Sequence, residues 1–457
     1  MTASARTLRR VPHPRTWSVR AGDVAALVLG NGLLIGAMWV RHGQALELHS
    51  LPGVLIAAGQ LTALYGTYLV LLQLVLMSRS PWLDQVFGSD RVADLHRWVG
   101  FTGILLLAGH GVFTIAGYAL AYGNGIPGEA VTILTTYPYV LMATAGMVLF
   151  IAIGISSVRL ARRRLSYETW YGIHLYAYLA IALAFMHQLA VGTDFIGDPV
   201  ARLYWIALYV VAGALMLVFR FGQPVWLSLR HRLRVANVVR EAPGVVSIYV
   251  TGRELDQLAT RAGQWFRWRF LTADGWWRSH PFSLSAAPNG RFLRLTVKDL
   301  GDHTRTLQRL RIGTRLFAEG PYGNLTGARR TRPRVLMIAG GIGITPLRAL
   351  LEELPAARGD LTLLYRAHRE EDLVFRRELE QLSTLRGATV HYLVGGRGTS
   401  DLRGDPLAPG SLRRLVPDVH QRDVYVCGPL SMMEAVRRNL RALRVPAAQI
   451  HCERFAF

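Results

Sequence analysis

Cysteine is nearly absent, with only Cys427 and Cys452 in 457 residues. Both lie near the C-terminus, so neither a disulfide framework nor a paired-cysteine metal site can be built. Lysine is scarcer still. Lys298 stands alone among 52 basic residues, and the other 51 are arginine. Charged residues make up 18% of the chain, below the ~25% usual for soluble globular proteins. A hydrophobic content of 51% excludes a disordered tail or a collagen. Gly-x-Ser-x-Gly does not occur, and no nucleophile triad or general-acid dyad stands out. There are no internal repeats and no long low-complexity tract.

Charge is missing most conspicuously from the first 220 residues. Val24–Val40, Leu48–Ser78, Trp98–Gly128, Ala130–Val158, Thr169–Thr193 and Leu203–Phe219 contain no Asp, Glu, Lys or Arg. A helix rises about 1.5 Å per residue and a bilayer core is ~30 Å thick, so each run is long enough to cross it. The first is not expected to be a cleaved signal peptide, since five Arg precede it and no small-residue cleavage site is evident. No comparable run follows residue 220.

Arginine between the runs predicts their orientation. Thirteen fall on one side: Arg6, Arg9, Arg10, Arg15, Arg20, Arg79, Arg91, Arg97, Arg159, Arg162, Arg163, Arg164 and Arg220. The other side has Arg41 and Arg202. A multi-pass protein of the cell membrane with both termini cytoplasmic is therefore expected.

Residues 221–457 carry 37 basic and 21 acidic residues and read as soluble. RFLRLTV alternates like an antiparallel strand. RVLMIAGG and DVYVCGP are short apolar runs ending in glycine, like parallel strands feeding loops. The helical patterns PLRALLEEL and SMMEAVRRNLRAL follow them. A β-rich segment at about 230–325 thus precedes an α/β segment at about 333–457, with GARRTRPR as the expected linker. The net charge of +22 suits a face near anionic lipid or a phosphorylated cofactor. Nucleic-acid binding is not expected, because no basic module interleaved with aromatics is present.

Two of the apolar runs carry paired histidines. His96 and His110 are 14 residues apart, and His174 and His187 are 13 apart. Ionisable groups in a membrane are costly and usually functional. Both spans run in the same direction, so His96 matches His174 in depth and His110 matches His187. An interhelical hydrogen bond or a proton relay would use single histidines in this way. Two pairs at matching depths favour axial ligation of haem. His42 and His49, in an outer loop, read as surface residues.

The soluble half holds a chain of short motifs. His280-Pro281-Phe282-Ser283 offers an aromatic and a hydroxyl that can meet a flavin ring. Lys298 and the Gly301–Thr304 turn could receive a pyrophosphate on backbone N–H groups. Gly-Pro-Tyr-Gly follows at Gly320–Gly323. AGGIGITP, Ala339 to Pro346, joins a strand to a helix but departs from GxGxxG. Cys427-Gly428-Pro429 ends a later strand, where open α/β sheets bind ligands.

HPFS, GPYG, GGIGITP, CGP and the terminal ERFAF, in that order, resemble the ferredoxin-NADP reductase superfamily. Joined to six spans with paired histidines, the chain resembles the NADPH oxidase/ferric reductase family of transmembrane flavocytochromes b. The resemblance covers nearly everything beyond residue 20. It implies a multidomain membrane protein: a six-helix transmembrane haem bundle at 1–220, an antiparallel β-barrel FAD domain at 221–330 and an α/β NAD(P)-binding domain at 331–457. It implies FAD, two b-type haems and NADPH or NADH as cofactors.

Carried over by residue, His96, His110, His174 and His187 would ligate haem iron. His280, Pro281, Phe282 and Ser283 would hold the flavin, with Lys298 and Thr304 near its phosphates. Gly340, Gly341, Gly343, Thr345, Pro346, Cys427, Gly428 and Pro429 would contact the nicotinamide nucleotide. Phe457 would stack on the flavin where nicotinamide enters. Arg366 could pair with the 2′-phosphate of NADPH, and Arg369 and Arg397 read equally well in that role. Arg202 could hold a haem propionate or steady a developing anion. The calcium-binding extensions of some relatives do not occur in the sequence, so calcium control is not expected.

The implied activity is electron transfer from cytoplasmic NAD(P)H through FAD and both haems to an external acceptor. Oxygen, giving superoxide, is the favoured acceptor. A ferric or cupric chelate, or an extracytoplasmic partner protein of unknown identity, is the alternative. A transporter with a degenerate reductase fits least.

Overall fold

The computed structural model describes residues 19–42, 48–158, 164–273, 275–396 and 404–453. The chain forms two compact units. One comprises 19–80 and Arg91–Arg220, and the other comprises Pro81–Asp90 and the residues from Phe221 onward.

The first unit is helical. Its elements are α1 (Ala21–Arg41), α2 (Leu51–Met77), α4 (Ser89–Tyr122, from Arg91), α5 (Gly125–Thr136), α6 (Val140–Ser157), α7 (Tyr167–Val191) and α8 (Pro199–Leu217). The short α3 (Pro81–Phe87) lies between α2 and α4 in sequence and belongs to the second unit. Among the described residues six helices are long and apolar enough to cross a membrane, and the chain is a multi-pass membrane protein. Their starts are encoded locally. Ser50 accepts the Gly53 N–H at 3.2 Å ahead of α2. Asp198 accepts the N–H groups of Val200 and Ala201 at 2.7 and 3.3 Å, with Pro199 at the first helical position of α8.

Three sequence expectations change here. The run Ala130–Val158 is not one helix: α5 ends at Thr136 and α6 starts at Val140. Pro138 has no N–H to continue a helix, and Tyr139 adopts a left-handed φ of 63°. The last helix also does not stop before Arg220, but continues through a π-turn, Val218–Gly222, into α9 (Gln223–His231). His42 is not a plain surface residue, because its Nε2 lies 2.9 Å from Asp198 Oδ2 and both side chains are largely covered.

The second unit contains three sheets. Its strands are β1 (Arg234–Ala242), β2 (Val245–Thr251), β3 (Trp265–Phe270), β4 (His280–Ser283), β5 (Leu293–Lys298), β6 (Leu316–Tyr322), β7 (Val335–Gly340), β8 (Leu361–Ala367), β9 (Thr389–Val394), β10 (Asp423–Cys427) and β11 (Ile450–Cys452). Two antiparallel sheets run β1-β2-β5 and β4-β3-β6, and a parallel sheet runs β11-β10-β7-β8-β9. β3 shows how pattern becomes packing. In WFRWRF the alternate residues Phe266, Trp268 and Phe270 are buried and meet Ile248 and Leu295 in the barrel core. β7 is buried at every position, as a parallel strand covered on both faces must be. Met337 and Ala339 share one core with Leu347 and Leu350, while Leu336 and Ile338 share another with Val436 and Leu440.

The two halves of this unit are stitched together. Arg294 of β5 is 3% exposed and reaches Glu378 with Nη1 and Nη2 at 2.8 and 3.0 Å. The expected linker GARRTRPR is also tied down. The N–H groups of Thr331 and Arg332 donate to Asp423 Oδ2 at 2.6 and 2.5 Å.

Candidate functional site

In the helical unit α4 carries His96 and His110, and α7 carries His174 and His187. The His96 and His174 rings meet with centroids 5.9 Å apart, and Trp170 stacks on His174 at 5.0 Å. His187 lies within electrostatic range of His110. The structure thus brings the His96 ring against that of His174, while His187 interacts with His110 only electrostatically. The Nδ1 atoms of His96, His174 and His187 are buried and have no hydrogen-bond partner among the described residues. His110 differs, since its Nδ1 lies 3.0 Å from the Gly59 carbonyl. A carbonyl only accepts, so Nδ1 carries the proton and Nε2 keeps a free lone pair. No cluster of three or more His, Cys, Asp or Glu residues able to hold a metal occurs among the described residues.

In the second unit a cavity of about 800 Å³ opens between the barrel and the parallel sheet, a size suited to a cofactor. His280, Pro281, Phe282 and Ser283 line it from β4, Lys298 from β5 and Thr304 from the helix Asp302–Leu307. Gly340, Gly341, Gly343 and Thr345 line it after β7, Arg366 at the end of β8, and Gly428 and Pro429 after β10. β3 sets β4 in register by pairing Trp265 with Ser283 and Phe266 with Phe282, and Trp268 Nε1 donates to the Phe282 carbonyl at 3.0 Å.

The glycines permit the ends of β7 and β10 to converge. A Cβ at Gly343 would stand 2.5 Å from the Cys427 carbonyl oxygen and 2.7 Å from the Gly428 Cα. Gly341 has a left-handed φ of 53° and open space where a Cβ would point, so its backbone faces the cavity bare.

The remaining sequence candidates divide. Lys298 lies 3.6 Å from Asp372. Thr304 Oγ1 accepts the Leu300 N–H and donates to the Gly301 carbonyl, fixing the turn. Arg366 Nη1 donates to the Leu393 carbonyl at 2.8 Å. Arg369 is exposed and pairs with Glu371 at 3.0 Å. Cys427 and Pro346 are buried and do not line the cavity, and burial pushes the Cys427 thiol well up. Arg202 is exposed. Phe457 and Arg397 lie outside the described residues.

Sequence reasoning missed several residues. Gly59 fixes His110 but looks like any small residue in an apolar run. Asp405 and Met432 line the cavity without belonging to a motif. Glu453 sits inside the quoted ERFAF yet had no assigned role, and Asp84 is one of three acids, with Asp90 and Asp94, in the short segment between two charge-free runs.

Residues 62–185 match the family described as ferric reductase like transmembrane component, 232–326 an FAD-binding domain family and 337–438 the oxidoreductase NAD-binding domain family. The glycine betaine monooxygenase reductase subunit of Chromohalobacter salexigens is 28% identical over 243 residues, 50% of this chain and 65% of that protein. A flavohemoprotein of Pseudomonas aeruginosa is 32% identical over 240 residues, 50% of this chain and 60% of that protein. Ferredoxin–NADP reductase B of Sorangium cellulosum is 34% identical over 212 residues, 42% of this chain and 84% of that protein. The chain therefore spans less than two thirds of the first two relatives. With a ferric-reductase-like membrane part followed by FAD- and NAD-binding domains, the chain belongs to the NADPH oxidase/ferric reductase family of transmembrane NAD(P)H- and FAD-dependent oxidoreductases.

Proposed function

We propose that this protein takes electrons from cytoplasmic NAD(P)H through FAD and two b-type haems to an acceptor outside the cell, with oxygen as the favoured acceptor and superoxide as the product. The observation that carries this reading is the meeting of His96 with His174. Their rings are 5.9 Å apart and both have a buried Nδ1 without a partner among the described residues. Metal–nitrogen bonds of about 2 Å on each side would fit that separation. Two imidazoles without a third side-chain ligand among the described residues would suit haem, which supplies further donors of its own, so His96 and His174 fit it. His110 fits as well, because the Gly59 carbonyl holds its Nδ1 and leaves Nε2 to ligate.

FAD supplies conversion of a two-electron hydride into single electrons, and haem iron carries them one at a time. The chain's residues bind and orient. Phe282 and Ser283 present an aromatic face and a hydroxyl from β4. Lys298 and the Gly301–Thr304 turn place positive charge and N–H groups for the flavin phosphates. The bare backbone of Gly341, with Gly340, Gly343, Gly428 and Pro429 around it, receives the nucleotide. Arg366 offers a guanidinium to a 2′-phosphate, which favours NADPH. Phe457 is assigned the flavin face that nicotinamide must reach.

His110 and His187 would both be engaged in holding the second haem, so neither would be left to bind an acceptor. A small neutral oxidant suits this constraint. The test is NADPH-driven reduction of a superoxide probe by the purified protein, with and without superoxide dismutase. Dismutase-sensitive signal with oxygen uptake supports the reading. Brisk ferric-chelate reduction without oxygen uptake would make the protein a chelate reductase.

A further inference from the structure

The FAD-binding unit contains a buried pair of carboxyl groups that no step above uses. Asp84 lies on α3 and is 8% exposed, and Glu453 follows β11 and is 7% exposed. They flank one residue, Gly323 of the GPYG turn. The Gly323 N–H donates to Asp84 Oδ2 at 2.5 Å, and a Cβ on Gly323 would meet the two Glu453 oxygens at 2.8 and 2.9 Å. Asp84 Oδ1 accepts from Ser89 Oγ at 2.5 Å, and its backbone carbonyl accepts from Asn324 Nδ2 at 2.8 Å. A donor on each oxygen is the pattern of an ionised carboxylate.

Glu453 is served differently. Its Oε1 accepts from Trp265 Nε1 at 2.8 Å, while its buried Oε2 has no hydrogen-bond partner among the described residues. Burial, and Asp84 after it, push the Glu453 carboxyl up to about 8. Burial also raises Asp84, against the pull of Ser89, Gly323 and Arg329. The other ionisable groups facing the pair are Asp90, Arg329 and the thiol of Cys427. Arg329 also ties the segment down by donating to the Gln85 carbonyl at 2.7 Å. Two carboxyls in one dry site do not both ionise readily, so one proton stays with the pair.

The pair's place in the chain gives it a consequence. Residues Pro81–Asp90 join α2 to α4 but fold with the FAD-binding unit. Ser89, which Asp84 holds, is the first residue of α4, the helix that bears His96.

We propose that Asp84 is a positioning residue, kept on Gly323 by a proton retained on Glu453, and that loss of this proton releases the segment leading into α4 and slows electron passage from flavin to haem without slowing hydride uptake. This rests on the flavin-to-haem reading above. The sign follows from linkage. Burial, with Asp84 beside it, holds the Glu453 carboxyl at about 8 in the docked state, and release takes Asp84 away and lowers it, so the docked segment holds the extra proton. Docking therefore weakens as pH rises towards about 8 and levels off above it.

The test is hydrogen–deuterium exchange of the purified full chain from pH 6 to 9, corrected for intrinsic exchange and read on peptides covering 81–90 and Gly323. Anaerobic stopped-flow, following flavin bleaching and haem reduction separately, accompanies it. In the wild type, exchange should rise severalfold between pH 6 and 8 and then level, while the ratio of haem to flavin rates falls in parallel. Glu453→Gln, which cannot ionise, should flatten both profiles. Asp84→Ala should exchange fast and reduce haem slowly at every pH, with flavin bleaching unchanged, and Ser89→Ala, a milder change, should move the same way by less. A flat wild-type profile, an unflattened Glu453→Gln profile, or exchange that changes without the rate ratio would each overturn the proposal. A protein without a haem band would instead defeat the function reading, and the exchange profile would still decide the latch.

Discussion

His110 on α4 donates its Nδ1 proton to the carbonyl of Gly59 on α2, 3.0 Å away, so a residue with no side chain orients the ring. A Cβ at position 59 would stand 2.6 Å from Thr114 Oγ1 and 3.1 Å from the Thr114 backbone nitrogen. The backbone atom cannot rotate aside, so Gly59→Ala should force the helices apart at a cost of about 1–3 kcal/mol and swing the His110 ring. Haem content by pyridine haemochrome should then fall from two towards one per chain. Retention of two would remove Gly59 from the account.

Arg366 lines the cavity while one of its nitrogens is held by the Leu393 carbonyl. A charge-assisted contact is worth about 1.5–3 kcal/mol. Arg366→Gln should therefore raise the KM for NADPH roughly 10- to 100-fold and leave that for NADH nearly unchanged. Equal effects on both nucleotides would show that Arg366 does not read the 2′-phosphate.

Gly343 sits where the loops after β7 and β10 nearly touch. In Gly343→Ala the new Cβ would lie 2.5 Å from the Cys427 carbonyl oxygen, a backbone atom in a fully buried strand. Nucleotide affinity, followed by the rate of flavin bleaching against NADPH concentration, should fall roughly tenfold or more, about 1.4 kcal/mol. The haem spectrum should not change.

Burial would raise the Glu378 carboxyl, but the guanidiniums of Arg294 and Arg348 outweigh it and hold the group below the usual carboxylate range. Its contribution is present above the ordinary value of 4.5 and is lost as pH falls below it. Glu378→Ala strands the buried Arg294 and should cost about 3–5 kcal/mol. Thermal unfolding followed by flavin release should show the loss at pH 7, with the gap to wild type narrowing in acid.

What could be read from the sequence follows the range of the interactions. HPFS, GGIGITP and CGP are local, because a glycine that frees a backbone or a strand end that meets a ligand needs only its neighbours. The membrane spans are legible from the charge-free runs, apart from the break at Pro138. The Arg294–Glu378 stitch joins residues 84 apart and the Asp84–Gly323 contact joins residues 239 apart, and no periodicity announces either. His42 read as a surface residue because its partner, Asp198, lies 156 residues away. GARRTRPR looked like a free linker because composition does not reveal that Asp423, 92 residues from Thr331, accepts its N–H groups.

The measurement that tests the central claim most directly is the reduced-minus-oxidised absorption spectrum of the purified protein, with haem quantified per chain, in the wild type and in His174→Ala. The account predicts two low-spin b-type haems in the wild type, both reduced anaerobically by NADPH. It predicts one haem in His174→Ala, with transfer from flavin blocked. A wild type without haem, or a His174→Ala protein that keeps two haems and full turnover, would contradict it.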